Sequence, residues 1–315
     1  MADDYILEVK NLCQHFSSGR GKNKMVVKAV DDVSFSVRRA ETFGLVGESG
    51  CGKTTTGRTI IRLYDPTGGE VLFGGKPISG KMDKELRNYL TSNISMIFQD
   101  PIESLNPKMT IEEIVGEGLK VRGQKDPAEI RQKVVEMLAK VGLVEEHATR
   151  YPHEFSGGQR QRIGIARAII INPKMVIADE PVSALDVSVQ AQVINLLNDL
   201  KEEMGLTILF IAHNLSVVKY FSDRIGVMYY GHLVEVANGD DLYAKPLHPY
   251  TRALLSAIPE PNPLTERTRV RIDYVPERDH DYSVEKPSME EVEPGHFVYC
   301  SPSELKKYRE IVKDA

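Results

Sequence analysis

The chain has no tryptophan and only three cysteines, Cys13, Cys51 and Cys300, and neither sign of charge dominates it. Three scattered thiols cannot build a disulfide framework and lack the CxxC spacing of a metal knuckle, which fits free thiols in a reducing compartment. Lys and Arg number 40 against 45 Asp and Glu, a formal charge of -5, so there is no overall electrostatic case for binding nucleic acid. A long apolar run is also missing. AIIINPKMVIA at 168–178 and LTILFIA at 206–212 fall well short of the roughly 20 residues a bilayer helix needs. The acidic start MADDYILEVK lacks the basic and then apolar pattern of a secretory leader. Any role at a membrane is therefore expected to be peripheral.

What is present is a chain of 315 residues, 41% hydrophobic, enough for one large unit and an appendage. Short apolar runs alternate with helical stretches: SFSV and ETFGLVG near 34–47, ISMIFQ at 94–99, KMVIADE at 174–180, LTILFIAH at 206–213 and RIGVMYYG at 224–231. Strands apolar throughout and separated by helices imply a parallel sheet covered on both faces, an α/β fold. Over 187–204 the spacing predicts a helix whose stripe Val189, Val193, Leu197, Leu200 and Met204 is core. Residues 103–168 read as a helical subdomain inserted into the sheet. After Pro259 the composition turns to Pro and charge with little periodicity, so that stretch is expected to be irregular or linker-like.

Gly47, Glu48, Ser49, Gly50, Cys51, Gly52, Lys53 and Thr54 spell GxxxxGK[ST] between an apolar strand and a helical run. Glycines let backbone N–H groups curl round phosphates, and the helix start adds its positive dipole end. Lys53 is expected to neutralise the β and γ phosphates, Thr54 to ligate Mg²⁺, and Thr55 to reach the α phosphate. Asp179 and Glu180 end an apolar strand. Asp179 suits a Mg²⁺ partner at the ligand-binding edge of an α/β sheet. Glu180, turned elsewhere by strand alternation, suits a general base that polarises the attacking water.

In EFSGGQRQRIGIARAI at 154–169, Ser156 is a good N-cap, and Gly157 and Gly158 expose N–H groups at a helix start, a second anion site. This segment resembles the signature of the ATP-binding cassette (ABC) family, and other motifs follow in that family's order. The resemblance covers about residues 5–245 and implies a P-loop NTPase, RecA-like core with an antiparallel β edge and an inserted helical subdomain. Gln99 in IFQDP is similar to the Q-loop glutamine that contacts Mg²⁺. Asp186 in SALD resembles the D-loop residue crossing a dimer interface, and His213 the switch histidine on the γ phosphate. Phe16 in CQHF is similar in position to the aromatic that stacks on adenine, followed by the insertion SSGRGKNKMV. In the family, Ser156, Gly157, Gly158 and Gln159 would close over ATP held by a second cassette.

FQDPIESLNPKMTIEEIVGEGL is similar to the Q-loop region of peptide-importer ATPases, and PLHPYTRALLSAIPEPNP to a C-terminal stretch shared by the oligopeptide, dipeptide, glutathione and nickel importers, which makes 1–245 a nucleotide-binding domain and 246–315 an importer-type extension. EVEPGHFVYC resembles the end of the F-type ATPase subunit of these permeases. The implied activity is ATP hydrolysis with Mg²⁺ that powers peptide import. The implied partners are a second ATPase subunit in a heterodimer, two transmembrane permease subunits and, indirectly, an extracytoplasmic substrate-binding protein, placing the chain on the cytoplasmic face of the membrane. Nickel or glutathione import stays open, as does a non-transport cassette ATPase acting on DNA or ribosomes. Several relatives carry clustered tail cysteines; with Cys300 alone this tail is expected to hold no iron–sulfur cluster, since one thiolate cannot supply the usual four ligands.

Overall fold

A computed structural model of the chain describes residues 4–19, 25–259 and 270–313. Part of the insertion after Phe16, at 20–24, and part of the expected irregular tail, at 260–269, lie outside the described residues. The chain divides into two compact units, one of Met1–Leu7, Val37–Glu41 and Leu72–Ile211, the other of Glu8–Ser36, Thr42–Val71 and Ala212–Ala315.

The first unit holds the parallel strands Ile94–Ile97, Met175–Asp179 and Thr207–Ala212, with Ile94 opposite Met175 and Asp179 opposite Ile211. Every residue of the latter two strands is buried, as expected where both faces of a parallel sheet are covered. The helices Ile111–Val121, Pro127–Lys140 and Gly157–Ile169 lie between. Thr110 and Glu113 form a capping box that starts the first, and Asp126 with Pro127 at N1 starts the second, so local sequence sets both boundaries. In the helix Val187–Met204 the side chains of Val193, Ile194, Leu196, Leu197 and Leu200 are buried. Of the expected stripe, Val189 and Met204 are only half-buried. Gly205 then ends the helix in the left-handed region at φ 63°, where a glycine costs nothing.

In the second unit the strand Thr42–Val46 runs parallel to Arg224–Tyr229, and His232–Asn238 pairs antiparallel with the latter. His296–Cys300 adds antiparallel to His232–Asn238, with Glu235 opposite Val298, and Ser288–Glu293 closes the hairpin. The long strand Tyr5–Ser18 is flanked by Met25–Arg38 and Gly68–Phe73 in a separate sheet.

The tail therefore departs from the linker-like expectation over 288–313. Its hairpin extends the sheet, and the helix Pro302–Lys313 packs behind it. Leu247, Val298, Cys300 and Tyr308 form a buried cluster with Val292, Leu305 and Val312 against it. Burial of a few large side chains, worth about 1.5–3 kcal/mol each, is what a charged, proline-rich segment gains by ordering here. No described helix is long and apolar enough to cross a membrane.

Candidate active site

In the second unit, the buried strand Thr42–Val46 delivers the phosphate loop to the start of the helix Lys53–Ile60. Gly47 and Gly52 sit at φ 150° and 109°. A Cβ at Gly47 would lie 2.2 Å from Met228 O, and one at Gly52 2.2 Å from Ala29 O, so only glycine lets the loop curl this tightly. Lys53, itself buried, turns back into the curl, where Nζ donates to Gly47 O at 2.8 Å and Glu48 O at 2.9 Å and lies 3.7 Å from Cys51 Sγ. An ammonium held by loop carbonyls at the positive end of a helix fits a polyphosphate, whose oxygens can replace those carbonyls. Burial pushes the Cys51 thiol above its usual range although Lys53 pulls the other way, so Cys51 packs as a neutral side chain. Ser49 and Gly50 are exposed, and Thr54 and Thr55 are half-buried at the helix start.

Phe16 is 39% exposed and meets Tyr64 edge-on at 5.3 Å, which leaves a ring face open for stacking. His213 follows the strand Thr207–Ala212 and is exposed. Asn214 beside it caps the helix Leu215–Phe221 by accepting from Ser216 N at 2.9 Å.

In the first unit, Asp179 is fully buried at the end of its strand. Glu180 follows the strand's last residue and sits in the left-handed region at φ 45°. Such φ values in non-glycine residues gather at functional sites. Gln99 Nε2 donates to Glu180 Oε2 at 3.0 Å, bringing together two residues 81 positions apart. Ser183 N and Oγ both donate to Glu180 O, at 3.2 and 3.1 Å, folding the SALD segment back onto the acid. Asp186 is exposed where the helix Val187–Met204 begins.

Ser156 accepts from Gln159 N at 3.3 Å while Gln159 Oε1 accepts from Ser156 N at 3.0 Å, a reciprocal cap for the signature helix. Gly157 and Gly158 differ in the room around them. A Cβ at Gly158 would lie 2.6 Å from Val189 Cγ1, whereas one at Gly157 would make an ordinary 3.6 Å contact with Leu185. Gly158 is thus constrained by packing, whereas the fold leaves room for a Cβ at Gly157.

Two residues carry no role in the sequence motifs, Tyr250 beside the phosphate loop and Glu235 behind it in the contact chain. Tyr250 Oη accepts from Glu48 N at 3.2 Å, and Glu235, fully buried, accepts from Leu247 N at 2.8 Å, His248 N at 3.0 Å and His296 Nε2 at 2.7 Å. The HPYT segment was a visible signal for the first. A glutamate in LVEVA carries no signal that it is buried.

Residues 30–183 match the ABC transporter family, and 234–283 match the oligopeptide/dipeptide transporter C-terminal region. The chain is 57% identical over 304 residues to the oligopeptide transport ATP-binding protein OppF of Bacillus subtilis, covering 96% of this chain and 98% of that protein. It is 52% identical to the dipeptide transport ATP-binding protein DppF of Lactococcus lactis, covering 96% of each. Among solved structures it resembles the ATP-binding cassette MJ0796 in a dimeric post-hydrolysis state bound to ADP and Pi, with TM-score 0.66, 31% identity, 74% of this chain and 98% of that one. It also resembles cbiO1 of Clostridium perfringens, part of an ABC transporter complex, with TM-score 0.67, 28% identity, 77% of this chain and 92% of that one.

Proposed function

The chain belongs to the ABC transporter family of ATP-hydrolysing subunits, and from that premise we propose that it powers import of oligopeptides or dipeptides through a membrane permease. The observation that carries this reading is the reach of the likeness: it extends past the cassette into 234–283, a region described for oligopeptide and dipeptide transporters.

In this reading the amides of Gly47 to Thr54 and the Lys53 ammonium hold the triphosphate, and Phe16 takes the adenine. Thr54, Asp179 and Gln99 are the residues that would hold Mg²⁺, and the ion would supply charge neutralisation of the phosphates. Glu180 accepts the proton of the attacking water, with Gln99 fixing its carboxylate, and His213 supports the γ phosphate. The Ser156–Gln159 segment and Asp186 serve a second cassette. ATP then favours the closed pair because it binds that state better, and hydrolysis releases it.

A groove of about 650 Å³ in the first unit, lined by Asn88, Ser92, Glu117, Val121 and Arg122 among others, supports docking of a permease helix. Arg167 on its wall donates to Ser104 O in the SLNP segment and lies 5.7 Å from the Phe98 ring centre, joining the groove to the loop after Gln99. The partners in this reading are two permease subunits, a second and different ATPase chain and, through the permease, an extracytoplasmic binding protein. The chain works from the cytoplasmic face, and no iron–sulfur cluster is assigned to the tail. Cys300 lies in the core, and burial pushes its thiol up to about 12.

Uptake of labelled di- to pentapeptides by a deletion strain tests this. Complementation by the wild-type chain and failure of Lys53→Ala are expected. Unchanged peptide uptake with lost nickel or glutathione uptake would overturn the cargo, and co-purification with ribosomes or DNA instead of permease subunits would overturn transport.

A further inference from the structure

We propose that Tyr250 is a positioning residue for the phosphate loop, and that the carboxy-terminal extension is thereby a working part of the nucleotide site; this rests on the ATPase reading above. The Glu48 peptide is gripped on both sides: its N–H donates to Tyr250 Oη at 3.2 Å, and its C=O accepts from Lys53 Nζ at 2.9 Å and Cys51 N at 3.3 Å. When phosphate oxygens draw Lys53 away, the Tyr250 bond does not depend on that ammonium and keeps the loop entry in register. A preset loop is what a polyphosphate binder needs, because ordering it on binding would cost affinity.

Tyr250 can do this because its own position is fixed from several sides. The residue is buried, its ring lies 4.4 Å from that of Tyr229 and 5.5 Å from that of Tyr274, and its backbone N donates to His248 Nδ1 at 3.1 Å. His248 is held in turn by its own N–H on Glu235 and by its ring 5.0 Å from that of His280. Glu235 also accepts from His296 of the tail hairpin, and His280 Nδ1 lies 2.5 Å from Glu304 Oε1 at the start of the last helix. An unbroken set of contacts thus runs from the tail hairpin and last helix to one amide of the phosphate loop.

The test is Tyr250→Phe, which keeps the ring and deletes the hydroxyl, with Tyr274→Phe as the neighbour whose hydroxyl has no assigned role. Both are measured for MgATP affinity in the full chain, for KM and kcat, for thermal midpoint, and for hydrogen exchange at the Glu48 amide. Loss of one hydrogen bond at a partly buried amide predicts an affinity about 5-fold weaker, KM raised in proportion, kcat changed less than about 2-fold, faster exchange at Glu48 and an unchanged midpoint. Tyr274→Phe is expected to leave KM alone. Unchanged affinity and exchange in Tyr250→Phe overturn the proposal, as does an equal rise in KM with Tyr274→Phe, which would assign the effect to loss of any hydroxyl from the tyrosine cluster rather than to the Glu48 bond. A wild-type chain that binds no MgATP overturns the ATPase reading itself, an outcome distinct from either.

Discussion

Gln99 Nε2 donates a hydrogen bond to Glu180 Oε2 at 3.0 Å, while the Glu180 backbone sits in the left-handed region at φ 45°. The acid is therefore aimed by its own turn and by a side chain from the strand end at Ile94–Ile97. Removing the carboxylate should cost far more than removing its holder. Glu180→Gln is expected to lower kcat by about 10²–10⁴-fold while MgATP still binds, and to accumulate ATP-bound dimers visible by gel filtration. Gln99→Ala is expected to lower kcat by about 10-fold. Turnover in Glu180→Gln close to wild type would refute Glu180 as the base.

Gly157 and Gly158 separate packing from ligand contact within one motif. Gly158→Ala drives a methyl to 2.6 Å from Val189 Cγ1, and a β-branched side chain has little freedom to yield. A loss of about 1–3 kcal/mol is expected from denaturant unfolding, and Val189→Ala in the same chain should recover most of it. Gly157→Ala has room and should leave stability unchanged while weakening ATP-driven pairing of cassettes. If Val189→Ala rescues nothing, the packing account of Gly158 fails.

The same comparison indicates what was legible in the sequence. Strands made of one apolar run, such as Met175–Asp179 and Thr207–Ala212, announce themselves, because two covered faces demand apolar residues throughout. Loops whose chemistry is local, Gly47 to Thr54 and Ser156 to Gln159, do so as well. The tail hairpin hid for two reasons. Its alternation over His296–Cys300, with His296, Val298 and Cys300 buried, is only five residues long. Its stability also comes from pairing with His232–Asn238 across some 60 residues of chain, a register no local pattern carries. The Gln99–Glu180 bond and the Glu235 network are long-range in the same way, and a positive φ at a glutamate has no sequence signature.

Glu235 is a costly group to disturb in the second unit. Its carboxylate is fully buried and accepts from two backbone amides and the His296 ring. Glu235→Ala strands all three donors and is expected to destabilise the chain by about 3–5 kcal/mol, with a large drop in thermal midpoint. A change under about 1 kcal/mol would mean that water takes over the acceptor role.

The two histidines beside that acid respond to pH with opposite signs. Burial, helped by His280 and Arg252, lowers His248 to about 3, so from about pH 6.5 downward the unfolded chain takes a proton that the folded chain refuses. Its contribution is lost as pH falls, at a slope approaching about 1.4 kcal/mol per pH unit. Burial pulls His296 down too, but the Glu235 and Glu293 carboxylates raise it above its usual range overall. Its contribution is complete below the unfolded value near 6.5 and fades as pH rises through the higher folded one. His248→Asn keeps a side-chain acceptor for the Tyr250 amide and should flatten the acid limb of unfolding free energy against pH, measured in urea from pH 4.5 to 6.5. His296→Gln should flatten the limb above pH 6.5 and leave the acid limb steep. Acid limbs that run parallel in wild type and His248→Asn would show that His248 is not what makes the fold acid-labile, and would shift that role to the carboxylates that titrate lower.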